Sequence, residues 1–170
     1  MTSKNLSKIK WVEKYRPEKL DDLCISDDLR EIITSFGENI PHLLFCGIQG
    51  TGKTTLARII VQDILKCDYL YINASDESGV DTIRVKVSGF CQTKSFDGKI
   101  KIVVLDEADF LSAASQAALR NLMDSYHKST RFVLTGNYKH KLIPALQSRC
   151  QSLDILPTLK GAIVRCFTIL

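Results

Sequence analysis

The stretch Gly47-Ile48-Gln49-Gly50-Thr51-Gly52-Lys53-Thr54 constrains the fold more than any other part of this 170-residue chain. It has the P-loop spacing, in which glycine is followed by four residues and then Gly-Lys-Thr. An apolar run over 42–46 precedes it and a helix-like run over 55–61 follows it, which is the strand–loop–helix context that the motif requires. Glycines let backbone N–H groups turn toward an anion, and the start of the helix adds a positive field. The stretch therefore predicts a phosphate-binding loop.

The side chains that follow indicate which phosphates this loop would hold. Lys53 is expected to reach the β- and γ-phosphates of ATP as a point charge, and Thr54 to offer its hydroxyl to Mg²⁺. The predicted ATP-binding residues of the loop are Gly50, Thr51, Gly52, Lys53, Thr54 and Thr55. The plainer alternative is a glycine-rich turn with a surface lysine, which the strand and helix on either side argue against.

A second stretch, at 101–107, carries two carboxylates. Four consecutive apolar residues at 102–105 predict a buried parallel strand, and Asp106 and Glu107 follow at its carboxyl end, where open α/β sheets bind ligands. Asp106 is expected to hold Mg²⁺, largely through water, and Glu107 to act as general base on the attacking water. Taken alone, the pair would be read as two solvated acids at a strand end.

Strands and helices alternate along the rest of the chain. Helical spacing of apolar residues predicts helices near 29–36, 53–66, 81–91 and 112–126, and a short helix at 142–146. Short apolar runs predict strands near 42–46, 68–73, 101–105, 131–137 and 151–156. This alternation predicts an α/β P-loop NTPase fold, in which a parallel five-stranded, doubly wound sheet carries helices on both faces.

Composition excludes several classes of protein. Hydrophobic residues make up 45% of the chain and charged residues 25%, which is typical of a globular domain, and no apolar run approaches the length of a membrane span. The N-terminus lacks the apolar core of a secretory signal, so a cytoplasmic location is expected rather than secretion. The cysteines, 6 in number, have no Cys-x-x-Cys spacing, which disfavours a zinc site or a disulfide framework. A net charge of +4 permits a nucleic-acid partner without requiring one.

Two polar segments leave alternatives open when only their residues are considered. The segment 11–17 carries two aromatic residues and a proline, so it could dock on a purine base or, as the residues alone favour, on the domain's own surface. Asn137 ends an apolar strand, where it could hydrogen-bond the γ-phosphate or the attacking water, or simply form a turn.

Six blocks in a fixed order give the chain a more specific resemblance. They are WVEKYRPEKLDDL from Trp11, the P-loop, Asn73-Ala74-Ser75-Asp76, LDEAD from Leu105, QAALR from Gln116 and LQSRC from Leu146. Over about 11–157 the chain resembles an AAA+ clamp-loader ATPase subunit, most closely the small subunits of replication factor C and the equivalent subunit of T4-like phages. The resemblance implies an AAA+ ATPase core that uses ATP to load a sliding clamp onto primer–template DNA.

The resemblance also assigns roles to individual residues. It implies that the adenine is surrounded by one segment and a nearby cysteine, namely Val12, Glu13, Lys14, Tyr15, Arg16 and Cys24. Asn137 matches the position that senses the γ-phosphate, and Arg149 matches an arginine finger acting in the neighbouring subunit's site. DNA is expected to be held by its phosphates inside a ring of subunits, with Arg84, Lys86 and Ser112 as candidates. A solvated helix face is the alternative for each of these three.

Two departures from the family pattern bear on function. Ser78 stands where family members commonly carry a basic residue that couples DNA to the catalytic glutamate. Residues 1–10 are polar and basic and are interpreted as an N-terminal tail, and the resemblance implies that 158–170 holds only the first helix of a helical lid. If lid and collar are missing, the alternative function is a nucleotide-binding interaction module without ATPase activity. A different AAA+ machine, such as a branch-migration motor, fits the N-terminal segment and the Ser-Arg-Cys block less well.

Overall fold

A single parallel sheet organises the part of the chain that the computed structural model describes, residues 15–95 and 98–158. Its strands are β1 (Leu43–Cys46), β2 (Tyr69–Asn73), β3 (Lys101–Asp106), β4 (Thr130–Gly136) and β5 (Gln151–Asp154). Their spatial order is β2-β3-β4-β1-β5, and every neighbouring pair runs parallel. The predicted five-stranded parallel sheet is confirmed, and β4 lies between the P-loop strand and the strand that ends at Asp106.

The helices are α1 (Asp27–Ser35), α2 (Lys53–Ile59), α3 (Val80–Gln92), α4 (Ala113–Tyr126) and α5 (Pro144–Gln147). Short 3₁₀ turns lie at Leu20–Asp22, Gly37–Asn39, Ala108–Phe110 and Lys139–Lys141. Within the described ranges, no helix combines the length and the apolarity needed to cross a membrane.

Helices cover both faces of the sheet, as predicted. On one face α1 and α2 pack against alternate strand residues such as Phe45 and Val104. On the other face α3 and α4 pack against the intervening residues, among them Leu44 and Val103. Because successive side chains of a strand point to opposite faces, a sheet covered on both sides needs continuous apolar strands. All six residues of β3 are buried accordingly, including Lys101.

One helix differs from the sequence prediction in an informative way. The helix expected over 53–66 is α-helical only to Ile59 and continues as a π-helix over Ile60–Ile64, where the N–H of Leu65 bonds to the carbonyl of Ile60. A π segment this short is not long enough to establish a hydrophobic period of its own, so the sequence did not distinguish it from an α-helix.

His42 precedes β1 and joins it to β4 through its ring. Its Nδ1 accepts a hydrogen bond from the backbone N–H of Phe132 at 3.1 Å, which requires an unprotonated Nδ1. Burial, and secondarily the charge of Arg131, lowers the pKa of His42 from 6.5 to about 4. Protonation of the folded protein at this residue is therefore opposed by both desolvation and the loss of an acceptor.

We expect acid to destabilise the fold through His42. The folded pKa lies below the unfolded one, so the unfolded chain takes up the proton first as the pH falls from 6.5 toward 4. The free energy of unfolding should drop across that window by up to about 3 kcal/mol, at roughly 1.4 kcal/mol per pKa unit. Urea unfolding at a series of pH values measures this drop.

The control for this pH dependence is a second histidine. His42→Gln should flatten the dependence between pH 6.5 and 4, whereas His140→Gln, at an exposed position, should leave it as in the parent chain. A His42→Gln variant with an unchanged acid slope would show that other groups produce it.

Candidate functional site

The P-loop leaves β1 at Cys46 and enters α2 at Lys53. A Cβ on Gly47 would lie 2.6 Å from the carbonyl oxygen of Ile155, so only glycine fits where the loop passes the end of β5. Gly52 is the N-cap of α2 with φ +94, a left-handed conformation that glycine adopts without strain. The Thr51 hydroxyl donates to the carbonyl of Ile48 at 3.0 Å and closes the loop on itself.

Lys53 lies inside this loop rather than on the surface. Its side chain is only 8% exposed, and its Nζ donates to the carbonyl oxygens of Gly47 and Ile48 at 2.8 and 2.7 Å. Burial lowers the pKa of Lys53, while the carboxylates of Asp106 and Asp109 act in the opposite direction. The alternative of a solvated surface lysine is therefore wrong.

Asp106 is the centre of a hydroxyl cluster at the carboxyl edge of the sheet. Its Oδ1 accepts from the hydroxyls of Thr54 at 2.8 Å and Thr135 at 2.5 Å, and its Oδ2 accepts from Tyr71 at 2.5 Å. Burial and the hydrogen bond to Asp106 raise the pKa of Tyr71 to about 12, so this phenol stays a donor. The predicted metal pair Thr54 and Asp106 is in direct contact.

The possible metal ligands at this edge of the sheet suit magnesium better than a metal ion that is coordinated only by protein side chains. Within residues 15–95 and 98–158, no three His, Cys, Asp or Glu side chains are grouped to hold a metal ion. A single carboxylate beside one hydroxyl leaves most coordination positions for water and phosphate oxygens, which is how Mg²⁺ is usually bound. Thr54 and Asp106 therefore fit the ion that the sequence predicted.

Glu107 follows Asp106 in an unusual backbone conformation. It has φ +56 and ψ +42, a left-handed conformation that costs a residue with a Cβ some energy. Its N–H donates to the Thr135 hydroxyl at 3.0 Å, which helps to hold this turn. Because of this turn, Glu107 does not continue the extended backbone of β3. Glu107 lines the cleft beside the P-loop.

One cleft of about 220 Å³ collects the predicted phosphate-side residues except Thr51, whose hydroxyl bonds within the loop. It is lined by Gln49, Gly50, Gly52, Lys53, Thr54, Thr55, Asp106, Glu107, Thr135, Gly136 and Asn137. Asn137 reaches it because β4, which ends at Gly136, lies between β1 and β3. This position favours the interpretation of Asn137 as a ligand of phosphate or water over that of a simple turn former.

The adenine-side residues fall partly within the described chain. Three of them, Val12, Glu13 and Lys14, lie outside the described residues. Arg16 lines a second cleft of about 420 Å³ together with Thr55 and Arg58 of α2. The segment that contains Cys24 lies beside the loop, since a Cβ on Gly52 would contact the Leu23 side chain at 3.4 Å. Tyr15, Arg16 and Cys24 remain predictions as adenine contacts.

Arg149 lies apart from this chain's own cleft. It follows α5, where its guanidinium contacts Asp124 of α4 and the carbonyl of Ala145. Its side chain is 31% exposed. Its action in a neighbouring subunit's site stays a prediction.

The three DNA-binding candidates occupy exposed positions on α3 and before α4. Arg84 is exposed, while Lys86 pairs with Glu77 at 2.5 Å. Ser112 caps α4, accepting from the N–H of Ser115 at 3.1 Å, and the Ser115 hydroxyl reaches the carbonyl of Ser78 at 2.7 Å. The starts of α3 and α4 are thus joined, and contact with DNA by these residues remains a prediction.

Three residues of this region were not among the site residues predicted from the sequence. Tyr71 and Thr135 hold Asp106, and Asp109 lies buried against Gly136 with neither carboxylate oxygen hydrogen-bonded within the described residues. The signal for Thr135 was its place two residues before Asn137 in an otherwise apolar strand. The contact of Tyr71 with Asp106 could be foreseen only from the pairing of β2 with β3.

Thr135→Val should weaken the fold, because it removes two hydrogen bonds at the carboxyl edge of the sheet at nearly constant volume. The N–H of Glu107 would lose its acceptor and the carboxylate of Asp106 one of three donors. An unsatisfied group of this kind costs about 2 kcal/mol in unfolding free energy, which urea titration would detect. Thr34→Val, on the exposed side of α1, is the control and should change stability by less than about 0.5 kcal/mol. Equal stability of the two variants would contradict the proposed hydroxyl cluster.

The same fold occurs in solved structures of branch-migration proteins. The Thermotoga maritima RuvB Holliday junction branch migration motor superposes with a TM-score of 0.68 at 22% identity, covering 91% of this chain and 54% of that one. A mutant of RuvB gives a TM-score of 0.72 at 19% identity, with 92% and 55% covered. At such identities these structures establish the fold and nothing finer.

Sequence comparison gives the nearer relatives. The chain is 46% identical over 147 residues to the replication factor C small subunit of Methanoregula boonei, covering 82% of this chain and 46% of the relative. It is 44% identical over 156 residues to replication factor C subunit 5 of Arabidopsis thaliana, covering 86% and 42%. The chain thus spans about half the length of the curated relatives it matches. A profile of the "ATPase family associated with various cellular activities (AAA)" matches residues 43–157, and the chain belongs to this AAA family.

Proposed function

We propose that this chain is the ATPase core of a DNA clamp-loader subunit. The observation that carries the proposal is one cleft lined by Lys53, Thr54, Asp106, Glu107 and Asn137. A P-loop lysine, a metal pair, a candidate base and a polar sensor are the parts that phosphoryl transfer to water requires. The identity of 40–46% to replication factor C subunits favours the clamp-loader class over other AAA machines.

ATP binding is assigned to the loop and its two flanking clefts. The backbone N–H groups around Gly50 and Gly52 and the ammonium of Lys53 would take the phosphates. The segment with Tyr15, Arg16 and Cys24 would take the adenine. When phosphate oxygens replace the carbonyl oxygens of Gly47 and Ile48 as its partners, Lys53 gains a stronger hydrogen bond, because the donor and the acceptor are then both charged. Mg²⁺, held by Thr54 and Asp106, would neutralise charge on the phosphate oxygens when bound.

Hydrolysis is assigned to Glu107 and Asn137. Glu107 would accept a proton from water at the γ-phosphate while Asn137 holds that water or the phosphate by its amide. Glu107 follows Asp106 in a left-handed turn. In this assignment Asp106 would serve the metal and Glu107 would serve the water. Arg149 would act in trans on the nucleotide of an adjacent subunit, where such an arginine contributes about 10³- to 10⁵-fold in rate.

The partners follow from the same assignment. Other clamp-loader subunits would form a ring with this chain, and the cargo would be a sliding clamp loaded at primer–template DNA. Arg84, Lys86 and Ser112 would contact DNA phosphates, so that binding is independent of sequence and weakens with salt. Lys86 would have to exchange Glu77 for a phosphate, because the two side chains are paired.

Two substitutions separate ATP binding from ATP hydrolysis. Lys53→Ala should abolish heat from ATP with magnesium in titration calorimetry, while Lys128→Ala, at an exposed position remote from the cleft, should bind like the parent chain. In the complex with partner subunits, Glu107→Gln should keep binding and lower ATP turnover at least about a hundredfold, since it removes the base. Exposed Glu31→Gln is the control for turnover.

Three results would count against the proposal. Unchanged binding by Lys53→Ala would remove the nucleotide site, and unchanged turnover by Glu107→Gln would remove the base. ATP binding without turnover by the parent complex would instead favour a nucleotide-dependent interaction module. Capture of a sliding clamp by the complex distinguishes a clamp loader from a branch-migration motor.

A further inference from the structure

The guanidinium of Arg149 is held by two different elements. Its Nε and Nη2 donate to Oδ1 and Oδ2 of Asp124 at 2.7 and 3.0 Å, which is a two-point contact along one edge of the group. Its Nη1 donates to the carbonyl of Ala145 at 2.8 Å. Two fixed partners on separate helices define the position and the plane of the guanidinium far better than one would.

These contacts leave part of the guanidinium available. Arginine has five N–H donors, and the described residues use three of them, two at Asp124 and one at Ala145. Among the described contacts, one N–H on Nη1 and one on Nη2 remain. N–H groups on the two terminal nitrogens of a guanidinium can bind two oxygens of a phosphate. Asp124 therefore holds Arg149 without exhausting its donors.

Asp124 contributes little to the stability of its own helix. It lies in the last turn of α4 (Ala113–Tyr126), where a negative charge meets the negative end of the helix dipole. Arg120 approaches the same carboxylate at only 3.8 Å, through one pair of atoms. The contact with Arg149 is shorter and doubled, and it holds the pKa of Asp124 below its usual value. Asp124 thus stays ionised at neutral pH.

We propose that Asp124 is a positioning residue for Arg149, aligning its two remaining N–H donors with the γ-phosphate in a neighbouring subunit's site. The inference rests on the proposed function, in which Arg149 acts in trans. Holding the side chain in place before docking removes the rotamer entropy that a long exposed arginine would otherwise lose. Lysine at 149 could not replace it, because a single ammonium cannot keep the two-point contact and also present a fork.

Steady-state kinetics of the complex with partner subunits tests this role. Asp124→Ala should lower kcat for ATP about tenfold with KM unchanged, because ATP binding does not use Arg149 before the chemical step. Arg149→Ala should lower kcat at least about a hundredfold. Asp124→Glu should recover most of the loss, since it can again accept from both Nε and Nη2. Glu31→Ala, an exposed acid on the opposite face of the sheet, should behave like the parent complex.

A double variant separates positioning from general structural damage. If Asp124 acts only through Arg149, adding Asp124→Ala to Arg149→Ala should cause no further loss. In the chain itself, the Arg149 Nε–H should exchange slowly with water in nitrogen-resolved NMR and quickly in Asp124→Asn. This measurement does not depend on ATPase activity.

The outcomes distinguish this inference from the proposed function. Wild-type kcat in Asp124→Ala beside a reduced kcat in Arg149→Ala would overturn the positioning role alone. A further loss in the double variant would assign Asp124 to structure and would overturn it as well. Wild-type kcat in Arg149→Ala would instead refute the trans role of Arg149 and with it this part of the proposed function.

Discussion

The carboxylate of Asp106 is the interaction on which the site depends. It is 6% exposed and accepts hydrogen bonds from Thr54, Tyr71 and Thr135. A buried carboxylate is costly unless its oxygens are bonded, so these hydroxyls must stay close to it. They belong to α2, β2 and β4, and the cluster therefore fixes the P-loop helix against three adjacent strands. The distance between the candidate phosphate-binding and metal-binding groups depends on this one constraint.

The order of the strands decides what the cleft contains. Since β4 lies between β1 and β3, the residue that follows it, Asn137, enters between the P-loop and Glu107. The Thr135 hydroxyl, two residues earlier, serves both Asp106 and the N–H of Glu107. One strand thus supports the candidate metal ligand, the left-handed turn of the candidate base and the candidate sensor. The Ser115 hydroxyl similarly joins the start of α4 to Ser78 before α3, on the side where DNA contacts are proposed.

Much of this arrangement was predictable from local pattern. The spacing of Gly47 to Thr54 and the apolar run before Asp106 predicted the loop and the buried strand, which the structure contains. Thr54 and Asp106 are in contact, and their role as a metal pair stays a prediction. Contacts between distant strands were not predictable: Tyr71 and Asp106 are 35 residues apart, and their contact needs the register of β2 on β3. The pairing of Arg149 with Asp124, 25 residues apart, depends likewise on how α5 packs near α4.

The sequence by itself determined that this chain forms a parallel α/β sheet with a phosphate loop, because glycine spacing and hydrophobic periodicity act over a few residues. It also determined family membership, through the blocks that residues 43–157 share with AAA ATPases. Tertiary structure alone decided which hydroxyls hold Asp106, where Asn137 lies and what Arg149 contacts. These depend on strand order and helix packing, which bring together residues whose separation along the chain carries no local signal.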